Sequence, residues 1–144
     1  MKGQWTNIYS GDLALRSWWV DSVNDCKYVS ILLPEVFGIN NWIRSFSEKL
    51  AQQNVPVLAL PLYGRTAPNL DLEYSEEDLK LGRHHKNLTT LKNIIDDVSA
   101  AINWVKEKYP SKKISIIGFC FGGHAAFIAS SLKGIESSFC FYGA

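Results

Sequence analysis

The sequence predicts an α/β fold: a mostly parallel sheet with an antiparallel hairpin near the N-terminus and helices on both faces. Short apolar runs alternate with helical patterns from about residue 27 onward, which indicates parallel strands joined by crossover helices. The runs are apolar along their whole length, as expected when helices cover both faces of a sheet. Residues 1–144 contain no repeat and no low-complexity tract, so we expect a single domain.

The strands are predicted in the following order. A hairpin comes first, because Gly11 and Asp12 separate two β-prone stretches, 5–9 and 13–20. Four parallel strands follow, at 28–33, 55–60, 114–117 and 138–142. Pro56 is tolerated only near the start of a strand, so we expect the second parallel strand to begin there.

Two helices are predicted between these strands. The first is capped by Asn40 or Asn41 and has an apolar face that comprises Trp42, Ile43, Phe46 and Leu50. The second extends over residues 87–108, where apolar side chains recur at helical spacing, and Pro110 ends it.

Composition excludes several classes of function. Fifteen Lys and Arg against fourteen Asp and Glu give a net charge of +1, so we expect no nucleic-acid or anionic-membrane partner. No apolar run reaches the roughly 18 residues of a membrane span, and we do not expect residues 1–7 to be a secretory signal. Three cysteines without a CxxC pair fit neither a disulfide framework nor a common zinc site, so a reducing, cytoplasmic setting is expected.

A candidate nucleophile follows the third parallel strand. The strand leads into Gly118-Phe119-Cys120-Phe121-Gly122-Gly123, and a helical pattern begins at residue 124. This is the G-x-nucleophile-x-G spacing, in which small residues let a strained strand-to-helix turn close. The helix dipole favours a thiolate at Cys120, and the Phe121 amide is positioned for a developing oxyanion. A buried structural cysteine is the alternative, and it is our interpretation of Cys26 and Cys140.

Three segments in order resemble the dienelactone hydrolase family of the α/β-hydrolase fold. They are Pro-Glu-Val-Phe-Gly-Ile-Asn at 34–40, Leu-Tyr-Gly-Arg-Thr-Ala-Pro at 62–68 and the glycine-rich turn at 118–123. The resemblance implies hydrolysis of cyclic enol-lactones and related esters by a Cys-His-Asp triad. It also implies that no metal and no organic cofactor takes part.

The resemblance assigns roles to four residues. Cys120 corresponds to the nucleophile, and Glu35 to a strand-end glutamate that controls ionisation of the thiol. A carboxylate close to a thiol disfavours the thiolate until substrate moves the carboxylate away. The amide of Val36 corresponds to a second oxyanion donor beside that of Phe121. Without the flanking residues 37–40, an exposed loop carboxylate would be the preferred interpretation of Glu35.

Arg65 and Arg83 are candidates for binding a substrate carboxylate, because a guanidinium offers a planar fork that matches it. Arg65 lies in the well-matched segment 62–68. Arg83 lies in the loosely matched stretch 76–86, where a solvated surface arginine is the alternative.

The family's triad Asp and His are expected after two further strands, and we expect this chain to end about a third short of the family fold. After Cys120 the sequence contains His124 but no Asp, and His124 lies on the helix that leaves the turn. His84 or His85 remains a candidate base. Two functions therefore stay open: a hydrolase of small esters or lactones, or a catalytically incomplete relative that binds or oligomerises.

An end after the fourth parallel strand leaves Phe139 and Phe141 on an edge strand. An apolar, unpaired sheet edge favours pairing with another chain. We therefore expect self-association, or a second chain, at this edge.

Overall fold

The computed structural model describes residues 2–144 as six strands and four helices. The strands are β1 (Gln4–Ser10), β2 (Leu13–Val20), β3 (Tyr28–Leu33), β4 (Val57–Ala59), β5 (Lys113–Phe119) and β6 (Ile135–Phe141). The helices are α1 (Asn41–Gln52), α2 (Glu76–Leu88), α3 (Leu91–Lys108) and α4 (Phe121–Ala129).

All six strands lie in one mixed sheet with the order β1-β2-β4-β3-β5-β6. β1 and β2 form the predicted antiparallel hairpin, which turns at Gly11 with a φ of +61°, and β2 continues antiparallel to β4. β3 is parallel to β4 and β5, and β5 is parallel to β6. The expected mostly parallel sheet with an N-terminal hairpin is therefore confirmed.

The register of the parallel strands brings their carboxyl ends to one edge. Leu33 on β3 is opposite Gly118 on β5, and Phe119 on β5 is opposite Phe141 on β6. The residues that follow these strands meet at that edge, which is where parallel α/β sheets bind their ligands.

Helices cover both faces of the sheet, as predicted. On one face, Ile43 of α1 packs with Leu32 and Val57. On the other face, the apolar sides of α3 and α4 pack against residues of β3 and β5, including the fully buried Ile31 and Ile116. Among residues 2–144 no helix has the length and apolar character that crossing a membrane requires.

The prediction of one helix over 87–108 is wrong, because the chain breaks at Thr89 and Thr90. The Thr90 side chain accepts a hydrogen bond from the Asn93 amide at 3.1 Å and caps α3, which begins at Leu91. Residues 87 and 88 belong to α2, which was not predicted. Its signal was Ser75 followed by acidic residues in the first turn, a typical helix start.

The second parallel strand is shorter than the predicted 55–60. Only residues 57–59 pair as a strand, because the Pro56 nitrogen cannot donate to the ladder. Flanking backbone bonds extend the contact: the Ser30 amide donates to the Pro56 oxygen at 2.9 Å, and the Leu60 amide donates to the Leu32 oxygen at 3.0 Å.

Candidate active site

Cys120 occupies a strained turn between β5 and α4, with φ +56° and ψ −119°. A positive φ is costly for any residue other than glycine and is maintained only by its surroundings. A Cβ on Gly118 would overlap the carbonyl oxygen of Gly122, and one on Gly122 would overlap that of Leu33. These overlaps are the steric reason for the glycines at both ends of the motif.

The backbone of Cys120 is anchored to the segment that follows β6. Its amide donates to the Phe141 oxygen at 3.0 Å, and its carbonyl accepts from the amides of His124 at 3.1 Å and Ala144 at 3.2 Å. The Cys120 side chain is partly exposed. Cys120 is the N-cap residue of α4, but its sulfur accepts no hydrogen bond from the first turn of the helix. A partly exposed thiol at a helix N-terminus has the surroundings of a reactive cysteine.

Two backbone amides lie free at the same edge. Phe121 is the first residue of α4, where an N–H has no intrahelical acceptor. Val36 follows β3 in a turn, and within residues 2–144 its amide donates no hydrogen bond to the protein. Gly122 lets α4 approach the backbone of Leu33 and Pro34, so the two amides come from segments in direct contact.

Glu35 is half-buried, and hydroxyl groups engage both of its carboxylate oxygens. Tyr74 donates to Oε1 and Tyr142 donates to Oε2, each at 3.0 Å. Burial, then the hydrogen bond and charge of Glu35, then the charge of Cys120 raise the pKa of Tyr142 to about 12. The structure therefore brings Cys120, Tyr142 and Glu35 together in one cluster.

The Tyr63 side chain is also close to Cys120, and its hydroxyl is buried without a hydrogen-bond partner. Burial, with a smaller contribution from the charge of Cys120, raises the pKa of Tyr63. Its ring stacks on Phe121 at 6.0 Å and packs against His85 at 5.8 Å between ring centres.

Sequence reasoning missed all three of these tyrosines. Tyr142 ends the predicted strand 138–142, and Tyr63 lies three residues after the predicted strand 55–60, positions that could have marked both as site residues. Tyr74 lies in a long connection, and only the fold brings it to Glu35.

Arg65 does not present a free guanidinium. Its two terminal nitrogens bind the two carboxylate oxygens of Asp97 at 2.8 and 3.0 Å, and Asp97 on α3 is only 1% exposed. The hydrogen bond with Asp97 raises the pKa of Arg65 further. The Arg65 guanidinium thus faces Asp97 on α3. A substrate-binding role for Arg65 stays a prediction.

The side chains of Arg83 and of the three histidines form no hydrogen bond with Cys120 within residues 2–144. Arg83 is exposed on α2 and has no ion-pair partner within residues 2–144. His85 shares a 2.9 Å hydrogen bond with Thr66, while His84 and His124 are exposed. Within the described chain, no histidine side chain forms a hydrogen bond with Cys120, and the His124 bond to it comes from the backbone amide.

Comparison with known proteins decides the family. The model of the Dienelactone hydrolase family matches residues 18–144. The chain belongs to the dienelactone hydrolase family. The resemblance inferred from the three sequence segments is thereby confirmed.

Relatives in this family are longer than the chain. It is 32% identical over 118 residues to "Putative carboxymethylenebutenolidase" of Synechocystis sp., which covers 81% of this chain and 48% of that protein. It is 26% identical over 122 residues to carboxymethylenebutenolidase of Pseudomonas putida, covering 80% and 50%. The chain therefore spans about half the length of the curated relatives it matches.

Solved structures confirm the α/β-hydrolase fold. The crystal structure of "Putative Dienelactone Hydrolase" from Klebsiella pneumoniae superimposes with a TM-score of 0.82 at 20% identity, covering 98% of this chain and 59% of that one. The dienelactone hydrolase of Anabaena variabilis gives a TM-score of 0.67 at 17% identity, covering 96% and 62%.

Proposed function

We propose that the chain hydrolyses small carboxylic esters and lactones through Cys120 as nucleophile. The observation that carries this proposal is the position of the thiol: a strained turn at the N-terminus of α4, beside the free amides of Phe121 and Val36. The helix dipole and neighbouring donors favour a thiolate and a developing oxyanion at this point. Family membership supports a lactone-type substrate, since relatives carry the name carboxymethylenebutenolidase.

The reaction has two steps. The Cys120 thiolate forms a C–S bond with the carbonyl carbon, and the carbonyl electrons move to the oxygen, which the amides of Phe121 and Val36 hold. Collapse breaks the C–O bond, and the leaving alkoxide takes a proton from water. Water then adds to the thioester carbonyl and gives one proton to the hydroxide left by the first step. The C–S bond breaks, the carboxylic acid leaves and the Cys120 thiolate is restored. Because no histidine side chain forms a hydrogen bond with the Cys120 thiol within residues 2–144, acylation is expected to outpace deacylation.

Turnover of a p-nitrophenyl ester and of a dienelactone by the purified chain tests the proposal, with Cys120→Ala and the control Cys140→Ala in parallel. We expect nitrophenol release that Cys120→Ala abolishes and Cys140→Ala keeps. Multiple turnovers would indicate a base, and one equivalent per chain would indicate acylation alone. Release that survives Cys120→Ala contradicts Cys120 as the nucleophile. No release contradicts the proposal and favours the alternative of a catalytically incomplete relative that binds or oligomerises.

For substrates that carry a carboxylate, we propose Arg83 and Arg65 as the binding cations. Arg83 is the better supported, because it is exposed and unpaired within residues 2–144, next to Gly82, which packs on the backbone of Val36. Arg83→Gln is expected to raise KM for a dienelactone and to leave that of a neutral ester unchanged. Equal KM changes for both substrates contradict this role.

We also propose that the free edge of β6 pairs with a second copy of the chain. β6 ends the strand order, and Phe139 and Phe141 on it are 50% and 46% exposed. An unpaired strand edge with apolar side chains is a template for another strand. A separate chain that covers the same edge is the other outcome, and a pull-down with tagged and untagged copies distinguishes the two.

We propose a reducing, cytoplasmic location, which the three unpaired cysteines support. Thiol titration of the denatured chain, isolated under conditions that block disulfide exchange, is expected to count all three cysteines as free.

A further inference from the structure

The Glu35 carboxylate is held from two sides by tyrosine hydroxyls that belong to separate elements. Tyr74 precedes Ser75, the N-cap of α2, while Tyr142 directly follows β6. Each hydroxyl donates to a different carboxylate oxygen at 3.0 Å. We call Glu35 with these two tyrosines the carboxylate clamp.

Both arms of the clamp are fixed by their surroundings. The Tyr74 ring packs edge-on against Phe37 at 4.7 Å between ring centres, next to the turn that contains Glu35. Tyr142 has a φ of +37°, a costly backbone conformation, and its ring lies 6.1 Å from that of Phe119. Strain of this kind is kept where the surroundings over-determine a side chain's position, as at functional sites.

Tyr142 connects the carboxylate to the turn that carries the thiol. It directly follows Phe141, whose carbonyl oxygen accepts from the Cys120 amide at 3.0 Å, and its hydroxyl donates to Glu35. The other elements around the cluster bring further titratable groups, which are Tyr63 after β4, His85 and Lys86 on α2, and His124 on α4.

We propose that Tyr74 and Tyr142 are positioning residues that act through Glu35: their hydroxyls hold the carboxylate and draw off part of its charge, and so set how readily Cys120 ionises. The inference rests on the proposed role of Cys120 as the reactive thiol. It adds that Tyr74, in the connection between β4 and α2, affects the ionisation of Cys120 through its hydroxyl.

The direction of the effect follows from charge. Two O–H donors stabilise and partly neutralise a carboxylate, which weakens its repulsion of a nearby thiolate. With one donor removed, the carboxylate presents more charge and can rotate toward the sulfur. Both tyrosines are more than half exposed, 56% for Tyr74 and 63% for Tyr142, so water replaces part of each hydrogen bond and the effect is moderate.

The test is the rate at which iodoacetamide alkylates Cys120 as a function of pH, followed by peptide mass spectrometry that separates Cys120 from the other cysteines. For Tyr74→Phe we expect alkylation at pH 7 to slow about threefold and the midpoint of the pH profile to rise by about half a unit. Tyr142→Phe is expected to act in the same direction. Circular dichroism checks that each variant is folded. If Tyr142→Phe does not fold, Tyr74→Phe still tests the proposal, because Tyr74 lies in an exposed connection.

Glu35→Gln separates action through the carboxylate from a general structural effect. In that background Tyr74→Phe is expected to change neither rate nor midpoint, because the charge on which it acts is absent. Tyr109→Phe is the matched control: its hydroxyl donates to Asp21 at 2.8 Å, at the opposite edge of the sheet, and its removal should leave the profile unchanged.

Unchanged profiles for both tyrosine variants, or an equal shift with and without Glu35, would overturn the inference. Alkylation that responds as expected, without any ester turnover, would overturn the proposed hydrolase and leave the clamp intact. A Cys120 that iodoacetamide does not alkylate would overturn both.

Discussion

At the candidate site, the buried Tyr63 hydroxyl lowers the stability of the fold instead of adding to it. The Tyr63 hydroxyl is buried and unpartnered, although a buried polar group without a hydrogen bond costs about 1–3 kcal/mol. A phenylalanine would keep the stacking on Phe121 and lose only that cost. The packing contacts of Tyr63 therefore do not account for its hydroxyl.

Tyr63→Phe is expected to raise the free energy of unfolding by about 1 kcal/mol, because it removes the buried orphan hydroxyl. Urea denaturation measures the change. Tyr109→Phe serves as the comparison, since it removes a hydroxyl that is bonded to Asp21 and should lower stability or leave it unchanged. A loss of stability in Tyr63→Phe would mean that the hydroxyl has a partner in solution.

Unlike the Tyr63 hydroxyl, the charge of Arg65 is expected to stabilise the fold, because it pairs with a buried carboxylate. Arg65→Gln leaves the buried Asp97 carboxylate without its cation and is expected to lower the free energy of unfolding by about 3 kcal/mol. Asp97→Asn in the same chain should recover part of the loss. Denaturation of the two single variants and the double variant measures the coupling, and additive losses would contradict the ion pair as its cause.

At the scale of elements, α2 is tied to the segment after β4 by the hydrogen bond between His85 and Thr66. Burial, and then the charge of His84, lower the pKa of His85 below its ordinary value of 6.5. The unfolded chain therefore binds a proton more readily than the folded one as pH falls through 6.5.

Stability is accordingly expected to be retained above pH 6.5 and to decrease below it, with His85→Gln removing that part of the dependence. Urea midpoints at pH 7.5, 6.5 and 5.5 for the parent and the variant measure the effect. His84→Gln should reduce the decrease only in part, because it removes the smaller cause. Identical slopes for parent and His85→Gln would contradict the assignment.

The elements also show how far sequence reasoning extends. The strands and α1 follow from apolar runs and from the Asn40 cap, which accepts from the Ile43 amide at 3.2 Å. The break between α2 and α3 was not predicted, because helical periodicity continues across Thr89 and Thr90. Only the capping residue Thr90 marks the break. Among site residues, Cys120 follows from local spacing. The contact of Tyr74 with Glu35, 39 positions apart, depends on tertiary packing.

At the scale of the whole molecule, β1 and β6 are the two edge strands of the sheet within residues 2–144. β1 carries mostly polar side chains, and its Trp5 lies 3.6 Å below the guanidinium of Arg16. The β6 side presents Phe139 and Phe141, and association through this edge would bury them.

A mass above that of the monomer is therefore expected at micromolar concentration, measured by size-exclusion chromatography with light scattering. Phe139→Lys should weaken association by about tenfold or more, because a charge on an edge strand opposes strand pairing. Phe127→Lys is the control, since Phe127 is 70% exposed on α4 rather than on the β6 edge. A monomeric parent chain would contradict the proposed pairing.

The backbone bonds between Cys120 and residues 141 and 144 have a consequence for biosynthesis. The strained geometry of the thiol depends on a strand and a tail that are translated after it. A nascent chain that has reached only residue 130 carries the nucleophile motif without the bonds that hold its shape. The Cys120 turn therefore reaches the geometry described here only after residue 144 has been translated.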